Sequence, residues 1–284
     1  MIPEIGFSLQ AKYDRPIGEV IALLKSAGFS AVSAVWTPEL DLPSLAKCAY
    51  HQGMNIQSLH APLKGMPLLW EPGSPESFEV QENMMRSLNA CAEFEIPILV
   101  VHSWQGLHYT FPETPLDFRF FDELVNKAAC NGITIAFENL EGEEYLEALL
   151  TRYCDKAHVG FCWDSGHDRC FPHKMDYLER FGNRLFMTHL NDNFGVRNPG
   201  GIPSGMDDLH FLPYDGNMDW AAELGRLKNA VPQKILNFEI KIVSKSQDPA
   251  DLIYANLSLE EFVEKAGRRA QTIAALYAQL MGHT

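Results

Sequence analysis

At 284 residues and 46 % hydrophobic content, the chain has material for one large α/β domain or two ordinary ones and is not a disordered polymer. No apolar run approaches the ~20 residues that span a bilayer, and the start MIPEIGFSLQ lacks the basic and apolar regions of a secretory signal, so a cytoplasmic protein is expected. A formal charge of −14 argues against broad nucleic-acid binding, and the six cysteines (48, 91, 130, 154, 162 and 170), with no C-x-x-C pair, read as reduced thiols.

Taken in order, the chain reads as strand then helix, repeated. Ile5–Leu9 is a strand, and Ile17–Ala27 a helix stopped by Gly28. Phe29–Trp36 is strand two, Leu42–Gln52 helix two, and Asn55–His60 strand three. A Pro- and Gly-rich loop over 62–75 precedes a long amphipathic helix, Glu76–Phe94. Pro97–Ser103 is strand four, followed by helix Pro115–Cys130. Strand five is Ile133–Phe137, a β-branched and aromatic run that delivers Glu138 at its end. Helix Glu143–Tyr153, strand His158–Asp164 and a helix within Pro172–Phe181 come next. Strand seven is Leu185–Leu190. A long Gly/Asn/Pro/Asp loop then leads to helix Asp219–Asn229, strand Lys234–Ile242 and a polar insertion over 243–256. The last helix, Ser258–Leu280, opens on a capping box of Ser258 and Glu261 and is expected to pack on the barrel.

Eight such units without a composition break predict an α/β fold, a single-domain (β/α)8 TIM barrel over 1–284. A doubly wound sheet is the alternative, but strand one is followed by FSLQAKYD rather than a Gly-rich phosphate fingerprint. In a barrel the carboxyl ends of the strands carry the site. Standing there are His60, His102, Glu138, Asp164, His189 and Glu239, one metal-capable side chain on each of six consecutive strands. A lone strand-end histidine is usually a satisfied core group and a lone glutamate a salt-bridge partner. Six at equivalent depth point to a metal site. Trp36, Trp70, Trp104 and Phe7 also fall at or after strand ends, where aromatic walls could stack on sugar C–H faces, and Trp104, two residues after His102, is the strongest of them.

These residues carry a resemblance to the xylose isomerase-like barrel superfamily, which holds sugar and sugar-phosphate isomerases and epimerases and also endonuclease IV. The matching pieces are LHAP (59–62), VVHS (100–103), FEN (137–139), WDSGH (163–167), HLND (189–192), DLHFLPYDGNMDW (208–220) and FEI (238–240). The resemblance implies one divalent metal ion (Mn2+, Mg2+, Co2+ or Zn2+) held by Glu138, Asp164, His189 and Glu239. Glu138 and Glu239 would also be the proton carriers, as in the ketose 3-epimerases. His60, His102, Trp104, His167, Arg197, Asp208 and His210 would face the substrate. Two departures touch the pocket. Tyr214 stands where the family pattern has the first glycine of G-x-G, with Gly216 retained, and the loop from Val196 to Asp207 looks longer than usual.

The implied chemistry is isomerisation or epimerisation of a small sugar or sugar phosphate. A hard ion held by three carboxylates and an imidazole grips adjacent oxygens of a hydroxy-ketone and stabilises an enediolate while the glutamates move the proton. One rival is a phosphodiesterase of the endonuclease IV type, whose trinuclear zinc ligands find counterparts in His60, His102, His167, Asp208 and His210. The Asp-x-Gly-His form at 164–167 favours the sugar branch. So does the absence of a basic cluster: Lys64, Arg169, Arg197 and Lys241 stand singly near the mouth. A keto-inositol dehydratase-like lyase would use the same enediolate. A sugar-binding barrel without turnover has no need of two metal-bound glutamates. Association as a homodimer or tetramer is a further family expectation.

Overall fold

The computed structural model describes residues 1–198, 200–243, 246 and 248–282. The strands are β1 Glu4–Ser8, β2 Ala31–Val35, β3 Asn55–His60, β4 Ile98–His102, β5 Thr134–Glu138, β6 Val159–Asp164, β7 Leu185–His189 and β8 Ile235–Phe238. The helices are α1 Ile17–Ser26, α2 Leu42–His51, α3 Pro75–Glu93, α4 Arg119–Cys130, α5 Glu143–Arg152, α6 Ser165–Cys170, α7 Tyr177–Phe181, α8 Trp220–Leu227 and α9 Leu259–Leu280. The strands pair in parallel in the order β7-β6-β5-β4-β3-β2-β1-β8. The ring closes between β7 and β8 through a few bonds rather than a full ladder. Leu190 N donates to Asn237 O at 2.9 Å and Glu239 N to Leu190 O at 3.1 Å. The chain is a single-domain (β/α)8 barrel.

Side-chain alternation along each strand explains both the core and the site. One parity faces the helices: Ile5 and Phe7, Val32 and Ala34, Leu99 and Val101, Ile135 and Phe137, Phe161 and Trp163 all join the main apolar core. The other parity faces the lumen, where Val100, Ala136, Cys162 and Met187 form a separate small cluster. On the opposite side of the lumen the filling is polar: Asn237 Nδ2 donates to Ser8 Oγ at 2.7 Å, and Ser58 Oγ to Ser33 Oγ at 2.9 Å. Two residues beyond these lumen positions stand His60, His102, Glu138, Asp164, His189 and Glu239. A strand that is apolar on both faces therefore delivers a polar group only at its carboxyl end.

The helices cover the barrel as their apolar stripes require. In α4 the buried residues are Phe120, Phe121, Leu124, Val125 and Ala128, one face of a 3.6-residue period. The Ser258–Glu261 capping box at the start of α9 is present, and α9 packs against α1, α8 and β1. Three expectations shift. The segment after β6 holds two short helices, not one, because Asp164 itself caps α6 by accepting from His167 N. Six residues before Pro172 are too few to show a helical period. Helix α4 starts at Arg119, well after Pro115. Strand β8 ends at Phe238, so Glu239 stands just past it instead of inside it.

Candidate metal centre

The centre is built on Glu138, which is fully buried at the end of β5. Strand register sets His102 opposite Glu138, and Asp164 opposite His189. Glu138 Oε2 lies 3.0 Å from His60 Nε2 and 2.9 Å from His102 Nε2. Its Oε1 lies 2.9 Å from His189 Nδ1. The same His189 nitrogen is 2.8 Å from Glu239 Oε2. Asp164 is gripped by Asn191 Nδ2, which donates to its two oxygens at 3.1 and 2.9 Å. Ligand-type atoms of Glu138, Asp164, His189 and Glu239 lie within 4.8 Å of one another.

Two further groups flank this one. His60, His102 and Glu138 converge within the same 4.8 Å limit, and so do His167, Asp208 and His210. His210 Nε2 is 2.9 Å from Asp208 Oδ2, and His167 Nε2 is 3.7 Å from Asp208 Oδ1. The structure thus brings together nine of the predicted site residues. It leaves two outside these groups. Trp104 stacks on Tyr145, with ring centroids 4.3 Å apart, and its indole N–H donates to Gly106 O. Arg197 pairs with Asp251 at 2.6 Å and Asp207 at 3.4 Å, tying the loop after β7 to the segment after β8. Lys241 contributes a cation 3.4 Å from Glu239 Oε1.

The donor set fits a divalent cation on three observations. First, three carboxylates crowd one spot, Glu138 and Asp164 fully buried and Glu239 partly so, which is costly unless positive charge sits between them. Second, three histidines use Nδ1–H on backbone carbonyls: His60 on Ala61 O at 2.8 Å, His167 on Asn139 O at 2.9 Å and His210 on Glu239 O at 2.9 Å. That fixes the tautomer and turns each Nε2 toward a carboxylate, the arrangement by which proteins orient metal-binding imidazoles. Third, protons stand in for the cation. Burial alone would raise Glu138, but His189 and His102 beside it hold it well below the usual carboxylate range. Burial would likewise lower His167, yet Asp164 and Asp208 lift it to about 10. His189 is lifted well above the usual histidine value, against burial, by Cys162, Glu138 and Glu239. His102, by contrast, is pushed down to about 4, chiefly by burial.

Two supporting amides, Asn139 and Asn191, were missed in the sequence because neither is a carboxylate, imidazole or thiol. Asn139 Nδ2 donates to Asp164 O at 2.8 Å and its Oδ1 accepts from Asp164 N at 2.8 Å, locking β5 to β6 behind the ligands. Asn191, two residues past β7, joins the same neighbour differently: its side chain donates to the Asp164 carboxylate, and its backbone N–H donates to Ser165 Oγ at 3.0 Å. Asn139 directly follows Glu138 in FEN and Asn191 stands two residues after His189 in HLND, and those positions were the available signal. The loop carrying Asp208 and His210 is held by Asp192. Its Tyr214 adopts φ +71°, the left-handed backbone that accounts for a glycine in the family pattern. At Gly216 a Cβ would stand 2.2 Å from Asp192 Oδ1 and 2.4 Å from Asn193 O, so the second glycine leaves no choice.

The family model for xylose isomerase-like TIM barrels matches residues 21–259. The chain belongs to this family. It is similar to the uncharacterized protein y4fM of Sinorhizobium fredii. The two are 28 % identical over 305 residues, covering 91 % of this chain and 93 % of that protein. Among solved structures, an L-ribulose 3-epimerase superposes with a TM-score of 0.70 at 15 % identity, covering 98 % of this chain and 97 % of that one. The IolI protein with a bound zinc atom gives 0.65 at 16 % identity, covering 96 % and 99 %. At such identities the likeness speaks for the fold.

Proposed function

We propose that the protein is a divalent-metal-dependent sugar or sugar-phosphate isomerase or epimerase, acting by proton transfer. The observation that carries this reading is the pairing of Glu138 and Glu239 across one histidine: each presents a carboxylate oxygen within 3 Å of His189 Nδ1, from β5 and from just beyond β8. A bound divalent ion would supply the Lewis acid that holds adjacent substrate oxygens and takes up charge as a hydroxy-ketone loses its proton. Glu138, Asp164, His189 and Glu239 would hold it. Glu138 and Glu239 reach the site from different strands, so one can remove a proton from carbon and the other return it. Both are held in the ionised form that a general base needs. Asn139, Asn191 and the backbone-tethered histidines fix these groups before substrate arrives. The fold shared with an L-ribulose 3-epimerase and with a zinc-containing barrel supports the assignment.

The test is exchange at carbon. Incubation with a panel of ketoses and their phosphates in D2O should label the carbon beside the carbonyl, and Glu138→Gln or Glu239→Gln should abolish labelling while circular dichroism stays unchanged. Full exchange by either variant would remove that residue from the mechanism.

A second reading draws on the flanking groups. His60–His102–Glu138 and His167–Asp208–His210 are each a three-ligand set, and together with the central group they suit a multi-metal phosphodiesterase. Metal content separates the two, with about one ion per chain expected for the isomerase and about three for the hydrolase. Cleavage of an abasic-site duplex would decide for the latter.

A further inference from the structure

We infer that the loop after β1 adds a further subsite to the mouth, in which Gln10 is a specificity-determining donor to a sugar hydroxyl, and that the end of the substrate held there carries no phosphate. The inference rests on the isomerase or epimerase reading above and decides between the free sugar and the sugar phosphate, which that reading leaves open. Gln10 follows Ser8, the last residue of β1, by two, and Leu9 N donates to Ser33 O at 2.8 Å. The ladder thus continues past the strand, and Gln10 keeps the lumen-facing side of Gly6 and Ser8. Register then places it in the ring of mouth residues. Ser8 pairs with Ser33 and Val35 with His60, which sets Gln10 and Val35 level with His60. On the other side Gly6 pairs with Asn237, two residues before Glu239. Between the metal-type groups of β3 and β8, the arc of β1 and β2 therefore presents an amide and a valine.

The amide itself calls for a partner. Gln10 Nε2 is buried and has no hydrogen-bond partner among the described residues, an arrangement that is rare in folded proteins and costly until an acceptor arrives. The loop that carries it is tied down. Gln10 N donates to Tyr13 Oη at 3.0 Å, and Arg15 pairs with Glu260 on α9, so the donor is placed before a ligand binds. Two cavities of about 280 and 390 Å³ flank this loop, and Gln10, Lys12, Tyr13 and Arg15 line both. Their charged lining sets Lys12 and Arg15 against Asp14, Glu39 and Asp41, and Arg15 is already engaged by Glu260. Lys241, past β8, lies 3.4 Å from Glu239 Oε1 and is likewise engaged. A phosphate needs a surplus of cations or a free guanidinium fork, whereas a neutral hydroxyl needs only the donor that Gln10 offers.

The experiment follows exchange in D2O by the full metal-loaded chain, with free hexuloses, their terminal phosphates and a tetrulose, which lacks the distal hydroxyls. The wild type should exchange a free hexulose with kcat/KM at least about tenfold above that of its phosphate. Gln10→Leu keeps the bulk of the side chain and removes the amide. It should lower kcat/KM for the free hexulose relative to the tetrulose by at least about tenfold, mainly through KM. A phosphate exchanged as well as the free sugar or better, or an equal effect of the substitution on both chain lengths, overturns the inference and leaves the isomerase reading standing. If the wild type exchanges no ketose in either form, that reading falls first and the inference with it. Should Gln10→Leu not fold, the wild-type ratio of free sugar to phosphate alone decides.

Discussion

Asp192 carries the return loop of the site on one carboxylate. It is fully buried and accepts from Tyr214 N at 2.9 Å, Met218 N at 3.1 Å and the Trp220 indole N–H at 3.0 Å. Those bonds shape the turn through Tyr214 and Gly216 that follows Asp208 and His210. Removing the carboxylate strands three donors in the interior, each at about 1–3 kcal/mol. Asp192→Ala should therefore cost at least about 3 kcal/mol, lowering the midpoint of thermal unfolding by about 6 °C or more for a domain of this size. Asp192→Asn, which keeps one acceptor oxygen, should lose less. An unchanged midpoint for the alanine variant would show that the loop is held by other means. The sequence displayed Asp192 plainly, as the last letter of HLND, but its role was hidden. A residue that accepts from backbone 22 and 26 positions away leaves no periodic trace.

At the scale of elements, what the sequence hid lies in the connections. Helix α6 is held by a charge cluster that no short window reveals. Arg226 on α8 reaches Asp168 on α6 at 2.8 Å and Asp176 before α7 at 2.8 Å, and His173 pairs with Asp168 at 3.0 Å. The hydrogen bond to Asp168 lifts His173 to about 9, against burial. A histidine raised in the folded state contributes stability that is complete below its unfolded value of ~6.5. That contribution is lost as pH rises toward 9. Thermal unfolding of the wild type should accordingly weaken from pH 6.5 to 9 relative to His173→Gln, and parallel profiles would show that the pair contributes nothing. Arg197 makes the same point from a different side. Its sequence position suggested a substrate contact, yet its guanidinium is engaged by Asp251, which is 1 % exposed. Arg197→Ala leaves that carboxylate buried and alone, a loss of about 3–5 kcal/mol if the segments stay closed. Release of the two segments would instead appear as new proteolytic cleavage between 196 and 207 or after 250. A variant as stable and protease-resistant as the wild type would return Arg197 to the substrate-facing role.

The barrel as a whole was legible because two simple periods, one for strands and one for helices, repeat eight times, and because six of the eight strands lead directly into a ligand-type residue. What sequence order could not show is the radial arrangement: that His60, His102 and His189 meet on one glutamate, or that His167 and His210 share Asp208. This closed ring of eight strands concentrates negative charge at its mouth, and the fold must neutralise it. Without a metal, the charge is offset by protons on His189 and His167, both raised above the ordinary histidine value. A divalent ion would displace those protons and bind only the folded ring, so metal, protons and stability are linked. Saturation at a hundredfold above the dissociation constant should add about 2.7 kcal/mol, or roughly 5–10 °C in the unfolding midpoint. The gain should be larger near pH 10 than near pH ~6.5, since the protons held on His167 and His189 then compete less. Calorimetry of the chelator-stripped chain with and without Zn2+, Co2+ or Mn2+ measures this directly. A midpoint indifferent to all three ions, at both pH values, would mean that these carboxylates and imidazoles neutralise one another and hold no metal.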